Sequence, residues 1–268
     1  MEERSPKNRL VAVCGKGGTG KTAFISIMTK ILTQHDDQRI LVIDADPAMS
    51  LANALGVQIT KTIGEIREEI IKSAARFGDD EEEKLRIVNT LDYMVLEALA
   101  EKSKFGLLVM GRPDAVGCFC PVNDLLRDAI ETLSKNFDVT LIDGEAGIEQ
   151  IHRQVVRVVD TPVILTDTSS RGLQTAALIK KIVESKKLIR CKRLGMVVNR
   201  VRGDEEMVRG FAEKVGVEIL GYIPEDENIS HYDLRGQPLT ELPDDSSSVV
   251  AIRQVSQKLG LLDGEAEG

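Results

Sequence analysis

The sequence feature that most constrains this chain is the stretch of residues 15–22, which reads GKGGTGKT. It follows an apolar run, residues 10–14, and precedes a helix-patterned segment, residues 23–32. Its spacing, G-x-x-x-x-G-K-[ST], predicts a loop whose backbone N–H groups surround a phosphate at the N-terminus of the next helix. With a strand pattern before it and a helix pattern after it, a plain glycine-rich turn is a much weaker interpretation.

The same loop predicts the contacts that bind a nucleoside triphosphate. Lys21 is expected to reach the β- and γ-phosphates, and the Thr22 hydroxyl is expected to bind Mg²⁺. A second lysine, Lys16, is not required for a single chain to bind a nucleotide. The expected nucleotide-binding residues of the loop are Gly15, Lys16, Gly17, Gly18, Thr19, Gly20, Lys21, Thr22 and Ala23.

The rest of the sequence alternates between strand and helix patterns. This alternation predicts one α/β domain over residues 1–268, with a mostly parallel central sheet of about seven to eight strands flanked by helices. Continuous aliphatic runs such as residues 39–43 suit parallel strands that are covered on both faces. Residues 57–104 are interpreted as a helical insertion in that domain rather than as a domain of their own.

Composition excludes several classes of function. Lys and Arg number 35 against 43 Asp and Glu, which gives a formal net charge of −8. A chain this acidic is a poor general binder of nucleic acid, because attraction to phosphates needs a basic face. No apolar run approaches the roughly 18 residues that span a bilayer, and the first residues carry no secretory signal. We therefore expect a cytoplasmic protein that binds neither nucleic acid nor membrane.

Two of the four cysteines, Cys118 and Cys120, form a CxC pair in a predicted loop. Two thiolates at this spacing can bind one soft or borderline metal ion, but two ligands rarely complete a site. A two-fold dimer would supply the missing pair if the CxC lay on its axis. Four sulfurs suit Zn²⁺ or Ni²⁺, and the sequence does not choose between them. Two semi-buried cysteines without a ligand are the alternative.

The form KGGTGKT of the loop resembles the deviant phosphate loop of the dimeric ATPases that include the nitrogenase iron protein, the arsenite-pump ATPase and the cell-division and plasmid-partitioning ATPases. The resemblance implies a homodimer that closes over two molecules of ATP or ADP, with Lys16 reaching the partner's nucleotide. It also implies catalytic roles for Lys16, Lys21 and Asp46, with Asp46 orienting the attacking water. Asp143 ends an apolar strand and is expected to hold Mg²⁺, with Asp44 in a supporting position.

Further site residues follow from the same resemblance. DGEAG resembles the second switch of these ATPases, in which Glu145 and Gly147 would respond to the γ-phosphate. Asn199, followed by Arg200, matches the asparagine that recognises adenine, since its amide offers both a donor and an acceptor. Pro224 and Asp226 lie where the family contacts adenine from the next loop, although a turn stabilised by Pro and Asp explains them equally well.

A narrower resemblance covers most of the chain. The run GRPDAVGCFCPVNDLLR, followed by DGEAGIEQ and TDTSSRGL, is similar to the CO dehydrogenase maturation ATPases of the CooC type. That family implies ATP-dependent insertion of nickel into the nickel–iron–sulfur cluster of CO dehydrogenase, with metal carried at Cys118 and Cys120 between two subunits. One departure is Gln150, where the family pattern leads us to expect histidine.

Three other functions compete with this interpretation. A related client, such as the nickel site of acetyl-CoA synthase, is possible within the same class. An electron donor like the nitrogenase iron protein would need a cysteine soon after Asp143, and none occurs between Cys120 and Cys191. A positioning ATPase of the membrane-binding kind would need a basic amphipathic C-terminal helix, whereas this sequence ends LLDGEAEG.

Overall fold

The computed structural model of the protein describes residues 8–35, 38–77, 81–112, 120–144, 151, 155–186, 191–201 and 205–262. Its strands are β1 (Arg9–Cys14), β2 (Ile40–Asp44), β3 (Ala100–Lys102), β4 (Phe105–Val109), β5 (Val139–Asp143), β6 (Thr161–Asp167), β7 (Gly195–Val201) and β8 (Glu218–Pro224). The helices within the described residues are α1 (Lys21–Thr33), α2 (Leu51–Leu55), α3 (Ile63–Phe77), α4 (Glu81–Glu97), α5 (Cys120–Ser134), α6 (Ser170–Lys186), α7 (Glu205–Val215), α8 (Glu227–Leu234) and α9 (Ser247–Lys258).

The eight strands form one sheet in the order β3-β4-β2-β5-β1-β6-β7-β8. Every strand pair is parallel except β3 with β4. The predicted α/β class and the range of seven to eight strands are therefore confirmed. Strand β1 lies between β5 and β6, so the loop that follows it leaves from the middle of the sheet, where open α/β sheets bind their ligands.

Alternate residues of the strands enter two hydrophobic cores, one on each face of the sheet. Val11 and Val13 pack with α1, α2 and α9 on one face, whereas Ala12 and Cys14 pack with α3, α4, α5 and α6 on the other. Because both faces are covered, the strands carry apolar residues at nearly every position, as the sequence pattern indicated.

Helix α1 is almost completely buried and holds the phosphate loop on the sheet. Its buried hydroxyls are accommodated because each bonds back to a carbonyl four residues earlier: Ser26 Oγ donates to Thr22 O at 2.8 Å, and Thr29 Oγ1 donates to Ile25 O at 2.8 Å. The helix can therefore pack against the sheet without unsatisfied polar groups.

Residues 57–104, which were predicted as a helical insertion, end in a β-strand. Helices α3 and α4 are present, but residues 100–102 form β3, which pairs antiparallel with β4 as an edge strand. The chain reverses at Ser103, where φ is +53°, a backbone angle that strand and helix patterns do not reveal. The last three residues of the acidic run at residues 79–83 form the first turn of α4.

Candidate functional site

The phosphate loop curls around the ammonium group of Lys21. Lys21 Nζ donates to Gly15 O at 3.1 Å and to Lys16 O at 3.5 Å, and the side chain is 7% exposed. The carbonyl of Lys16 also accepts from Thr19 Oγ1 at 2.8 Å. These bonds hold the loop in a closed turn at the start of α1, which is the arrangement that places backbone N–H groups around an anion.

Gly20 and Asn199 fit against each other at the base of this loop. Gly20 has φ +91°, and a Cβ atom there would lie 2.6 Å from Asn199 Nδ2. Asn199 Nδ2 donates to Thr19 O at 2.8 Å, and Asn199 Oδ1 accepts from Arg200 N at 2.9 Å. The structure thus brings the predicted adenine-recognising asparagine onto the phosphate loop, although 180 residues separate it from Thr19.

A carboxylate lies beside the start of α1, where the sequence places a magnesium ligand. Thr22 Oγ1 donates to Asp143 Oδ2 at 2.9 Å, while the buried Asp143 Oδ1 has no hydrogen-bond partner among the described residues. Asp143 pairs with Val13 in the register of β5 with β1, and with Asp44 in the register of β5 with β2. A free buried carboxylate oxygen next to a threonine hydroxyl fits a hard cation such as Mg²⁺, which takes oxygen ligands.

The charge balance of this pair of carboxylates also favours a cation. Burial raises the pKa of Asp143 to about 7; the nearby Asp44 adds to the effect, and Thr22 and Lys21 oppose it. Burial likewise raises the pKa of Asp44 to about 6, against the backbone hydrogen bonds from Leu51 and Asp46. Two carboxylates that share a buried site are costly to ionise together, and a divalent cation removes that cost.

The loop after β2 contains the residue predicted to orient the attacking water. Asp44 Oδ1 accepts from Asp46 N at 3.1 Å and Asp44 Oδ2 accepts from Leu51 N at 3.0 Å, so one buried carboxylate anchors both ends of the loop. Asp46 Oδ1 accepts from Ala48 N at 2.9 Å. At the end of the loop, Ser50 Oγ lies 3.2 Å from Thr22 Oγ1. The loop therefore touches the magnesium-site residues directly, and we name residues 44–51 the switch loop.

Asp226 caps two helices, whereas the sequence indicated at most a stabilised turn. Its carboxylate accepts from Asn228 N at 3.0 Å, from Ser246 Oγ at 2.5 Å and from both Ser248 N and Ser248 Oγ, at 3.0 and 2.7 Å. Asp226 is the N-cap of α8 and Ser246 is the N-cap of α9, so one carboxylate joins the starts of two helices. The serine run before α9 was the available signal. Contact of Pro224 or Asp226 with adenine stays a prediction.

Several predicted site residues lie outside the described part of the chain. These are Cys118, Glu145, Gly147, the departure at Gln150 and the side chain of Cys120, whose backbone begins α5. Within the described residues there is no group of three or more His, Cys, Asp and Glu side chains that could hold a metal ion. The side chain of Lys16 is described and is half-buried on the phosphate loop. In the same part of the chain, no helix combines the length and the apolar character needed to cross a bilayer.

Known structures share this fold. The MinD cell division protein of Aquifex aeolicus superposes with a TM-score of 0.67 at 18% identity, over 97% of this chain and 100% of that one. The septum site-determining protein MinD of Pyrococcus horikoshii, in complex with Mg-ADP, superposes with a TM-score of 0.67 at 19% identity, over 96% of this chain and 98% of that one.

Two relatives are more similar in sequence. An ATP-binding protein of Methanocaldococcus jannaschii is 38% identical over 93% of this chain and 98% of its own length. The carbon monoxide dehydrogenase accessory protein CooC of Rhodospirillum rubrum is 30% identical over 84% of this chain and 87% of its own length. The model of the CobQ/CobB/MinD/ParA nucleotide-binding domain matches residues 10–239. The chain therefore belongs to the CobQ/CobB/MinD/ParA family of P-loop nucleotide-binding proteins.

Proposed function

We propose that this protein is a dimeric, Mg²⁺-dependent ATPase that assists the insertion of nickel into the nickel–iron–sulfur cluster of CO dehydrogenase. The observation that carries the ATPase part is the buried Asp143 Oδ1, which has no hydrogen-bond partner in the described part of the chain and lies beside the Thr22 hydroxyl at the start of α1. The client is inferred from the similarity to CooC together with the Cys118–Cys120 pair.

Thr22 and Asp143 would hold the magnesium ion, and Asp44 would support them from the neighbouring strand. Bound there, Mg²⁺ would neutralise charge on the β- and γ-phosphates. Lys21 exchanges its hydrogen bonds to Gly15 O and Lys16 O for phosphate oxygens. Its ammonium group already lies inside the loop, so little rearrangement is needed.

Hydrolysis then depends on positioning more than on a strong base. Asp46 orients the attacking water from the switch loop, whose two ends are fixed on Asp44. Lys16 of each chain reaches the nucleotide of the other chain and stabilises the negative charge of the transition state. An arginine supplied in trans in comparable enzymes accelerates hydrolysis by about 10³- to 10⁵-fold. Dimer formation and hydrolysis are therefore coupled.

The metal is the cargo of this cycle. Cys118 and Cys120 of two chains supply four thiolates, which suit Zn²⁺ as a tetrahedron or Ni²⁺ as a square plane. ATP binding closes the dimer and its hydrolysis opens it, so that the metal is loaded and released in turn.

Metal stoichiometry tests the proposal. With ATP and one equivalent of Ni²⁺ or Zn²⁺ per chain, we expect one metal ion per dimer in native mass spectrometry. The double variant C118A/C120A should lose this metal ion and keep its affinity for ATP. C14A/C191A is a matched control that should retain the metal. An unchanged metal content in C118A/C120A would exclude the CxC site.

A positioning ATPase of the MinD kind is the second candidate, because the fold and the nucleotide site are common to both functions. Pelleting with anionic liposomes separates them. ATP-dependent recovery of the protein with the liposomes would favour the MinD-like function, whereas a metal-carrying ATPase should stay in the supernatant. A related client enzyme, such as acetyl-CoA synthase, is tested by reconstitution. If this protein activates apo-acetyl-CoA synthase with nickel but does not activate apo-CO dehydrogenase, acetyl-CoA synthase is the client.

A further inference from the structure

The switch loop contains a tight turn that closes on Asp46. Met49 N donates to Asp46 O at 3.0 Å, and Ala48 N donates to Asp46 Oδ1 at 2.9 Å. Two backbone amides thus bond to the residue that would orient the attacking water. Met49 has φ +51°, a backbone angle that residues other than glycine rarely adopt. A turn with such an angle persists only where the surrounding structure supports it.

Arg112, after β4, supplies support of this kind. Its Nε donates to Pro47 O at 3.1 Å, across 65 residues of sequence. Within the part of the chain that the structure describes, no other side chain from outside the switch loop bonds to the backbone of residues 46–49. Because Pro47 directly follows Asp46, this hydrogen bond fixes the backbone one residue away from the carboxylate.

The backbone of Arg112 is itself firmly placed. Met110 N donates to Asp44 O at 2.8 Å, and Gly64 N donates to Met110 O at 2.9 Å, so the chain after β4 is held between the end of β2 and α3. A Cβ atom on Gly64 would lie 3.1 Å from Arg112 O, a close approach that suits glycine. The switch loop is therefore held by Asp44 at its two ends and by Arg112 at its turn.

We propose that Arg112 is a positioning residue for ATP hydrolysis, which acts through Pro47 on the carboxylate of Asp46. Loss of its hydrogen bond loosens the turn at residues 46–49, so that Asp46 spends less time in the geometry that orients the attacking water. The affinity for ATP does not change, because Arg112 bonds to the switch loop and not to the phosphate loop. The inference rests on the ATPase part of the proposed function and is independent of the metal cargo.

Turnover and nucleotide affinity, measured separately on the full chain, test this role. Arg112→Ala should lower kcat about 3- to 10-fold, the scale of one hydrogen bond, and leave the Kd for a non-hydrolysable ATP analogue within about 2-fold of the wild type. Arg112→Lys keeps a cationic donor and should restore part of the turnover that Arg112→Ala loses. Arg209→Ala, which removes an exposed arginine from α7, should behave like the wild type.

Two further measurements separate a positioning role from a general loss of structure. In the Asp46→Asn background, Arg112→Ala should not lower the residual turnover further, because the carboxylate through which it acts is already absent. The amides of Ala48 and Met49 close the turn and should exchange their hydrogens about 3- to 10-fold faster in Arg112→Ala. The amides of β5 should exchange as in the wild type.

Three results would show that Arg112 does not position Asp46. These are an unchanged kcat in Arg112→Ala, a Kd for the ATP analogue that weakens in proportion to the loss of turnover, and a full additional loss in the Asp46→Asn background. A wild type that hydrolyses no ATP would instead overturn the ATPase part of the proposed function. In that case, equal exchange rates at Ala48 and Met49 in the wild type and Arg112→Ala would separately refute the support of the turn by Arg112.

Discussion

At the scale of single residues, the buried carboxylates at the ends of β2 and β5 decide what the site can bind. One oxygen of Asp143 accepts no hydrogen bond from the residues that the structure describes, whereas both oxygens of Asp44 are used to fix the switch loop. The two aspartates are neighbours in the sheet. Their hydrogen bonds separate their roles, because Asp143 accepts from Thr22 whereas Asp44 accepts from the backbone of the switch loop. Asp143 is therefore the ligand to test for Mg²⁺, and Asp44 is the residue that holds the loop.

The raised pKa of Asp143 predicts an unusual dependence of stability on pH. Because its carboxyl group has a pKa of about 7 in the folded protein, the folded state binds the proton more tightly than the unfolded chain does. The contribution of this group to stability is complete below the unfolded pKa of about 3.8 and is lost as pH rises through about 7. For the Mg²⁺-free protein this amounts to on the order of 4 kcal/mol.

The variant Asp143→Asn checks this expectation. Asparagine is neutral and can still accept from Thr22, so the variant should lie within about 1 kcal/mol of the wild type near pH 4.5 and be clearly more stable than the wild type at pH 8. Denaturant unfolding in EDTA at both pH values measures the difference. Asp92→Asn, on the exposed face of α4, is the control, and its stability should differ little from that of the wild type at either pH. Equal stability of Asp143→Asn and wild type at pH 8 would contradict the raised pKa.

Gly20 provides a second test at this scale. Alanine there must adopt φ +91° with its Cβ atom 2.6 Å from Asn199 Nδ2. We expect Gly20→Ala to destabilise the protein by about 1–3 kcal/mol and to weaken ATP binding at least 10-fold (roughly 1.4 kcal/mol). Gly210→Ala in α7, where a Cβ atom meets no atom within 4 Å, is the matched control. Gly210→Ala should raise the free energy of unfolding by about 0.5–1 kcal/mol, measured by denaturant unfolding. Wild-type ATP affinity in Gly20→Ala would be the contrary result.

At the scale of elements, Asp226 fixes the loop after β8 by capping two helices. Helix α8 buries no residue of its own, and α9 packs against both α1 and β8. The hydrogen bonds from Ser246, Ser248 and Asn228 lower the pKa of Asp226 to about 2, although burial alone would raise it. The loop that contains Pro224 is thus held relative to the helix that follows the phosphate loop.

Asp226→Ala removes both caps and leaves the Ser248 N–H without its acceptor. A cap contributes about 1 kcal/mol and an unsatisfied buried donor costs a similar amount, so we expect a loss of about 2–4 kcal/mol in urea unfolding. Asp233→Ala, an exposed position on the same helix, should stay within about 0.5 kcal/mol of the wild type. A loss in Asp226→Ala no larger than that of the control would show that the carboxylate does not join the two helices.

Sequence patterns predicted the parallel sheet and the positions of its polar strand ends. Both follow from local rules, because apolar runs define strands and the carboxyl ends of parallel strands meet at one edge. The β3 hairpin was missed because residues 100–102, Ala-Glu-Lys, have little strand propensity and its turn depends on the backbone of Ser103. The contacts of Asp226 with Ser248 and of Arg112 with Pro47 join residues far apart in sequence, and no local pattern indicates them.

At the scale of the whole molecule, one sheet brings the phosphate loop, the switch loop and residues 110–112 to the same edge. The switch loop follows β2, and residues 110–112, which precede Cys118 in the sequence, follow β4, its neighbour in the sheet. Because Lys16, at the start of the phosphate loop, is expected to reach the nucleotide of a partner chain, we expect a second chain to bind at this edge. The proposed function is that ATP hydrolysis in such a dimer delivers nickel to an enzyme.

Reconstitution of apo-CO dehydrogenase tests that claim most directly. The apo-enzyme is incubated with limiting Ni²⁺, ATP and this protein, and recovered CO oxidation is measured. We expect recovery of activity with the wild type and ATP. Little recovery is expected with C118A/C120A, or with Asp46→Asn, which should remain as an ATP-bound dimer. Equal recovery without ATP, or with either variant, would show that this protein does not deliver nickel in the proposed way.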